Sequence, residues 1–298
     1  MSNAPAMTAQ GLLKSALDKF LISEDIFGRI MSWSILVETY LILRASFYDL
    51  DELIAKGVEF EKNLPEVLDF NIFAYGSYIG ILTEDFKSVK YYIKKMEALL
   101  NPYSIWDTAQ YNYVSGVVSL ITDDLSKARF HIDKGIELGK ICGSPYSMAT
   151  LLLLDSIYHL GKNDIGSARK ILDQLSENRS LLHSNHINFI YNLLCADCAF
   201  QENQHEQGLE NLASAFKVAE KNGLMMSLGI KREKLAVLLG FAIKENPETR
   251  MAAELIKLMR LTPPEHMHVR EIWPWIHRIY ALGKIQIVHN DQQNICRR

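Results

Sequence analysis

Three stretches decide the fold: Asp85-Phe86-Lys87-Ser88-Val89-Lys90-Tyr91-Tyr92-Ile93, Asp124-Leu125-Ser126-Lys127-Ala128-Arg129-Phe130-His131-Ile132 and Asp164-Ile165-Gly166-Ser167-Ala168-Arg169-Lys170-Ile171-Leu172. They align position for position, at a period of about 40 residues. A fourth copy opens at Gln204, with Gly208 and Leu212 in phase, and a weaker early one opens at Asp49 with Leu53. The Asp at the head of each stretch suits a helix N-cap, where its carboxylate satisfies backbone N–H groups that have no partner within the helix. A second regularity is independent of the first. Eight residues before the last four anchors stand Ser77, Gly116, Ser156 and Ala196, and four residues after them stand Val89, Ala128, Ala168 and Gly208. Small side chains at both places let paired helices approach closely.

Working outward, the apolar residues recur at helical spacing. Phe86, Val89, Ile93, Met96 and Leu100 form one such series, and Leu209, Leu212, Ala213 and Phe216 another. About twelve segments of this kind precede residue 262. Most of the eight prolines punctuate them, with Pro65, Pro145 and Pro247 placed where a helix can begin. Each copy therefore reads as two antiparallel helices, and no pair buries its apolar face alone.

This pattern resembles the tetratricopeptide repeat superfamily, whose repeat carries a small residue in helix A, a small residue in helix B and a large apolar residue four further on. Ile93, Ile132, Leu172 and Leu212 occupy the last of these places. The resemblance covers roughly residues 30 to 222, with a degenerate pair at 224 to 260 where Ala252 and Ala253 take the small-residue role. The family's helix-A aromatic is met by Phe73 but not by Asn112, Leu152 or Asn192, and the period exceeds the usual repeat of about 34 residues. Long-helix variants found in sensor regions of large bacterial transcription regulators fit better. The resemblance implies an all-α fold, a right-handed α-solenoid of such helix pairs with a short extended C-terminal tail.

After Pro263-Pro264 and Trp273-Pro274-Trp275 the period changes to two. Ile279, Ala281, Ile285 and Ile287 fall on one side of an extended chain that Gly283 interrupts, which reads as a strand or a hairpin arm. A strand with no partner is not viable in water, so either another chain pairs with it or its sheet is missing. The run from Ile279 to Ile287, following the two tryptophans, resembles the opening strand of the OmpR-like winged-helix domain in activators of the antibiotic-regulatory-protein type. That resemblance implies a DNA-binding domain beyond this chain. The expected division is residues 1–10 as a vector-derived or disordered start, suggested by Ser2-Asn3-Ala4, then 11–262 as helical repeats and 263–298 as linker and the start of a truncated winged helix.

Composition bounds the function. The chain has 298 residues, 48% hydrophobic and 22% charged, with a net charge of −3, so neither a disordered tail nor a charge-driven nucleic-acid binder is expected. DNA would be bound only through the missing domain. The apolar runs, such as Leu151 to Leu154, fall well short of the roughly 20 residues that cross a bilayer. Four irregularly spaced cysteines and the lack of an export signal point to a reducing, cytoplasmic setting.

Candidate chemistry is sparse. Cys195-x-x-Cys198 lies inside an apolar helix without a second pair, which suits packing better than redox or zinc chemistry. His183 with His186, and His266 with His268, each offer two ligands where a metal site needs three or four. Gly161-Lys162 lacks the glycine and strand of a nucleotide cradle, and no nucleophile elbow surrounds a serine. No enzyme, cofactor or metal is expected. What remains is the inner face that first helices line in a solenoid, where Glu38, Asn71, Tyr78, Gln110, Tyr113 and Asp197 are the candidate binding residues. The bland alternative for Tyr78 and Tyr113 is that they cover neighbouring helices. Asp197, a carboxylate among Cys195, Cys198 and Phe200, is costly unless water or a partner reaches it.

The expected role is a non-enzymatic sensor and interaction module of a bacterial transcriptional regulator, taking a signal ligand, possible small-molecule effector, peptide or protein partner. The competing expectation is a self-contained scaffold or adaptor that forms an oligomer, a dimer paired through residues 277–289.

Overall fold

The structure is a computed structural model. It describes residues 70–280 except 102, 179–181, 183 and 223–228, the backbone of 286–289 and 292–295, and the isolated residues Ser15, Asp18, Lys19, Trp33, Val37, Ala55 and Glu59. The side chains of 71 and of 278 onward are not part of that description. The chain divides into two compact units, Met1–Ile230 and Lys231–Arg298. This division falls ahead of residue 262, where the change of period suggested a boundary.

In the first unit the described helices are α1 (Phe70–Thr83), α2 (Phe86–Leu99), α3 (Ile105–Ile121), α4 (Leu125–Cys142), α5 (Pro145–Gly161), α6 (Ile165–Glu177), α7 (Asn185–Gln201) and α8 (His205–Asn222). Consecutive helices pack as hairpins, α1 with α2, α3 with α4, α5 with α6 and α7 with α8. The first helix of each hairpin also touches the first helix of the next: α1 meets α3, α3 meets α5 and α5 meets α7. The second helices α2, α4 and α6 each pack on the first helix that follows them.

The turn inside each hairpin is built the same way four times. Glu84, Asp123, Asn163 and Asn203 adopt left-handed backbone, with φ of 61°, 61°, 59° and 60°. The next residue's N–H then reaches back five residues: Asp85 to the Gly80 carbonyl at 2.9 Å, Asp124 to Ser119 at 2.9 Å, Asp164 to His159 at 2.9 Å and Gln204 to Ala199 at 2.8 Å. Such a bond satisfies a carbonyl that the ending helix leaves open. The same Asp side chains start the second helix, accepting from the N–H of Ser88, Lys127 and Ser167. Serine does this for the first helices. Ser104, Ser144 and Ser184, spaced 40 residues apart, accept from the N–H of Asp107, Ser147 and Ile187. Pro145 occupies the first turn of α5, where its missing N–H costs nothing.

The small-residue pairs lie where the helices cross. Ser77, Val89, Ala128, Ser156, Ala168 and Ala196 are all fully buried. A Cβ on Gly208 would stand 2.5 Å from the Phe200 ring, and one on Gly116 3.1 Å from Leu154 Cδ2. Around these crossings lie Phe73, Met96, Ile132, Leu154, Leu172 and Phe189, each shut off from water.

The second unit holds α9 (Arg232–Glu245) and α10 (Arg250–Leu258), a 3₁₀ turn at Glu265–Met267, and a three-stranded antiparallel sheet of β1 (His277–Tyr280), β2 (Gln286–His289) and β3 (Gln292–Ile295) in the order β1-β2-β3. Arg232 donates to the carbonyl of Met259, and Trp273, fully buried, donates its indole N–H to the carbonyl of Leu261 at 3.0 Å. These bonds join α9, α10 and the segment after Pro264, which is why the unit begins at 231. Helix thus dominates the described residues, ten helices against three strands of four residues. The strand expected to lack a partner within the chain has one, since Ile279 pairs with Ile287 and Arg278 with Val288. The alternation of period two was legible, and so was a hairpin arm as one reading of it; which residues it pairs with was not. No described helix is long and apolar enough to cross a membrane.

Candidate functional site

Residues of the first helices come together in a row of aromatic rings. Tyr75 and Tyr78 lie one turn apart on α1, with ring centroids 6.1 Å apart and planes at 64°. Trp33 stands edge-on to Tyr75 at 6.2 Å, and Tyr113 of α3 edge-on to Tyr78 at 6.2 Å and 71°. These are the distances and angles that aromatic quadrupoles favour. On α5, Tyr146 is 38% exposed and its hydroxyl lies 3.4 Å from His186 Nδ1 of α7. The ring-to-ring contacts themselves run from α1 to α3.

Of the expected site residues, Tyr78 and Tyr113 are brought into contact. Tyr78 is buried, and its ring is largely occupied by its two neighbours. Tyr113 is half-buried, and burial, helped by the nearby Tyr146, pushes its phenol well above the ordinary value. It stays neutral and can donate or accept a hydrogen bond. Gln110, three residues before Tyr113 on α3, is half-buried, and its carbonyl oxygen is sealed from water without a hydrogen-bond partner. Such an acceptor costs roughly 1–3 kcal/mol. Asn71 falls in α1, with its side chain outside the description, and Glu38 lies outside the described residues. Asp197 is 3% exposed and accepts from Gln201 Nε2 of its own helix at 2.9 Å. One turn of α7 therefore supplies a partner for the buried carboxylate.

A polar cluster that sequence reading did not single out joins α4 and α5. Arg129 Nη1 donates to Asp155 at 2.5 Å, Nη2 binds Asp133, and the guanidinium stacks 5.1 Å from the Tyr158 ring. His159 lies between two carboxylates, its Nε2 3.5 Å from Asp155 and its Nδ1 2.9 Å from Asp164. One repeat on, Arg169 forks onto Glu202, with Nε at 3.2 Å and Nη2 at 2.5 Å. The available signal was that Arg129 and Arg169 share a repeat position, five residues after Asp124 and Asp164. Both arginines reach from a second helix to the next hairpin and so tie neighbouring hairpins together.

The cysteines behave as packing residues. Burial pushes the Cys195 thiol up to about 11 and the buried Cys198 thiol up to about 12, which suppresses the nucleophilic thiolate in both. Among the described residues no three His, Cys, Asp or Glu side chains gather as metal ligands.

The chain matches no protein-family model, no curated protein and no solved structure.

Proposed function

We propose that the hairpins of residues 70–222 form a tetratricopeptide-like α-solenoid whose first helices present a non-catalytic binding face, suited to an extended peptide or a signal ligand. The single observation that supports this most is the tyrosine row of α1 and α3, in which half-buried Tyr113 is neutral, with exposed Tyr146 on the next first helix. A neutral aromatic surface whose phenol can donate or accept a hydrogen bond favours a partner that brings apolar side chains and backbone polar groups, and an extended peptide has both. Repeat-to-repeat contact between first helices supports the solenoid reading, because it carries the face from hairpin to hairpin.

Within this reading the module acts as the cytoplasmic sensor and assembly part of a transcriptional regulator. The regulator part rests on the likeness of residues 273–287 to the start of a winged-helix domain.

The test is a peptide array probed with the purified chain, followed by titration of the hits. Tyr113→Ala and Tyr146→Ala should each weaken binding about fivefold or more, the loss expected when one well-placed contact of about 1 kcal/mol is removed. Hits that bind both variants as tightly as the parent would end the proposal. The adaptor alternative keeps one supporting observation: β1 and β3 are the outer strands of the sheet, and outer strands can pair with a second copy. Light scattering that finds only monomers across concentration would remove it.

A further inference from the structure

The segment 262–275 of the second unit forms a cleft of about 520 Å³, within the range of roughly 300–1,000 Å³ common for small-molecule sites. Its lining includes Pro263, Pro264, Glu265, His268, Arg270 and Trp275.

The cleft is preformed. Leu261 N–H is bonded to the Ile256 carbonyl at 3.0 Å, which ties the entry of the segment to α10. Buried Trp273 anchors its indole on Leu261, twelve residues back. Trp275 donates its indole N–H to the carbonyl of Arg270 at 3.0 Å and its backbone N–H to Trp273 at 2.8 Å. The paired prolines restrict φ, Met267 N–H closes a turn on the Pro264 carbonyl, and His268 is held in left-handed backbone at φ 54°. Left-handed backbone is uncommon for residues other than glycine, although histidine is among those that adopt it most readily. A site built this firmly loses little conformational entropy when it is filled.

The side chains then select a ligand. Arg270 and Glu265 are both exposed and bring one positive and one negative charge to the same cleft. A polyanion would be repelled by Glu265 and a polycation by Arg270. A molecule with one charge of each sign is repelled by neither. Guanidinium pairs with carboxylate through two parallel N–H bonds, and the face of Trp275, half-buried with its N–H already engaged, suits an aromatic ring or an ammonium. Pro263 and Pro264 add apolar surface.

We propose that this cleft binds a small zwitterion of the α-amino acid class with an apolar or aromatic side chain. Arg270 takes the carboxylate, Glu265 the ammonium, and Trp275 with the prolines the side chain. The site is built from residues of the second unit alone and does not depend on the reading of the first.

Isothermal titration of the full chain with L-phenylalanine tests the assignment. Saturable binding below about 10 mM is expected, weakened about tenfold by Arg270→Gln and by Glu265→Gln, with far-UV circular dichroism unchanged because both side chains are on the surface. N-acetyl-L-phenylalanine, which lacks the ammonium, should bind more weakly than L-phenylalanine and be indifferent to Glu265→Gln. L-phenylalaninamide, which lacks the carboxylate, should be indifferent to Arg270→Gln. Tyr113→Ala should leave the titration unchanged. No saturable binding, equal binding of the acetylated compound, or binding abolished by Tyr113→Ala but not by Arg270→Gln would each overturn the proposal.

Discussion

At Gly208 and Gly166 the same residue type answers opposite demands. Any Cβ at 208 would enter the Phe200 ring, itself buried against His205, whereas nothing stands within 4 Å of a Cβ at 166. Gly208→Val should therefore destabilise the chain by about 2 kcal/mol through overpacking. Gly166→Ala should stabilise it by roughly 0.5 kcal/mol through the better helix propensity of alanine. Urea unfolding of the two variants beside the parent measures both signs. The thiols offer a second check at this scale. With Cys195 and Cys198 pushed up to about 11 and about 12, thiolate at pH 8 is scarce at both, and a disulfide reagent should modify them only when the chain is unfolded. Labelling of either cysteine within minutes in native buffer would contradict that burial.

Much at this scale was legible before any coordinates. An Asp recurring ahead of an apolar helical run has few reasons to be there other than capping, and all three anchor aspartates do cap. The serines at 104, 144 and 184 carried the same signal at the same period and were overlooked. Asp197 was legible as a buried carboxylate but not as a satisfied one. Whether Gln201 turns toward it or toward solvent is a matter of rotamer, which residue type leaves open.

At the scale of the element, the caps make the second helices sensitive to acid. Hydrogen bonds from Ser88, Lys127 and Ser167 hold Asp85, Asp124 and Asp164 below the ordinary carboxylate value, and His159 adds to the effect at Asp164. A carboxylate lowered in the folded state contributes stability that is complete above its unfolded value near 3.8 and is lost as pH falls through the folded one. Burial lowers His131 as well, with Lys127 adding to it, so its contribution is complete above the unfolded value of 6.5 and declines below that pH. The thermal midpoint should therefore fall in two stages, first as pH drops below 6.5 and again below about 4. His131→Gln should flatten the first stage and Asp124→Asn the second; parallel pH profiles for variant and parent would count against both assignments.

The strands show where element-level reading stopped. A run alternating every second residue announces an extended chain but says nothing about its partner, because pairing is decided by where the chain reverses. Here β1, β2 and β3 find one another in sequence order.

At the scale of the whole molecule, the two compact units predict unfolding that is not a single transition. A Trp33→Phe, Trp106→Phe variant retains only Trp273 and Trp275, whose fluorescence then reports the second unit, while helical circular dichroism is dominated by the first. Their urea midpoints should differ; coincident midpoints would mean that the units fold as one.

The sequence by itself determined the helical hairpins, their period of about 40 residues, the aspartates that start the second helices and the small residues where helices cross. Each of these follows from backbone groups and volumes that act within a few turns of chain. Only the tertiary structure decided that Tyr78 meets Tyr113, that Arg129 and Arg169 reach into the following hairpin, that the strands pair within the chain and that residues 262–275 fold into a cleft. Those contacts join residues far apart in the chain, and their identity depends on how side chains and turns are oriented in space, which a repeat pattern does not specify.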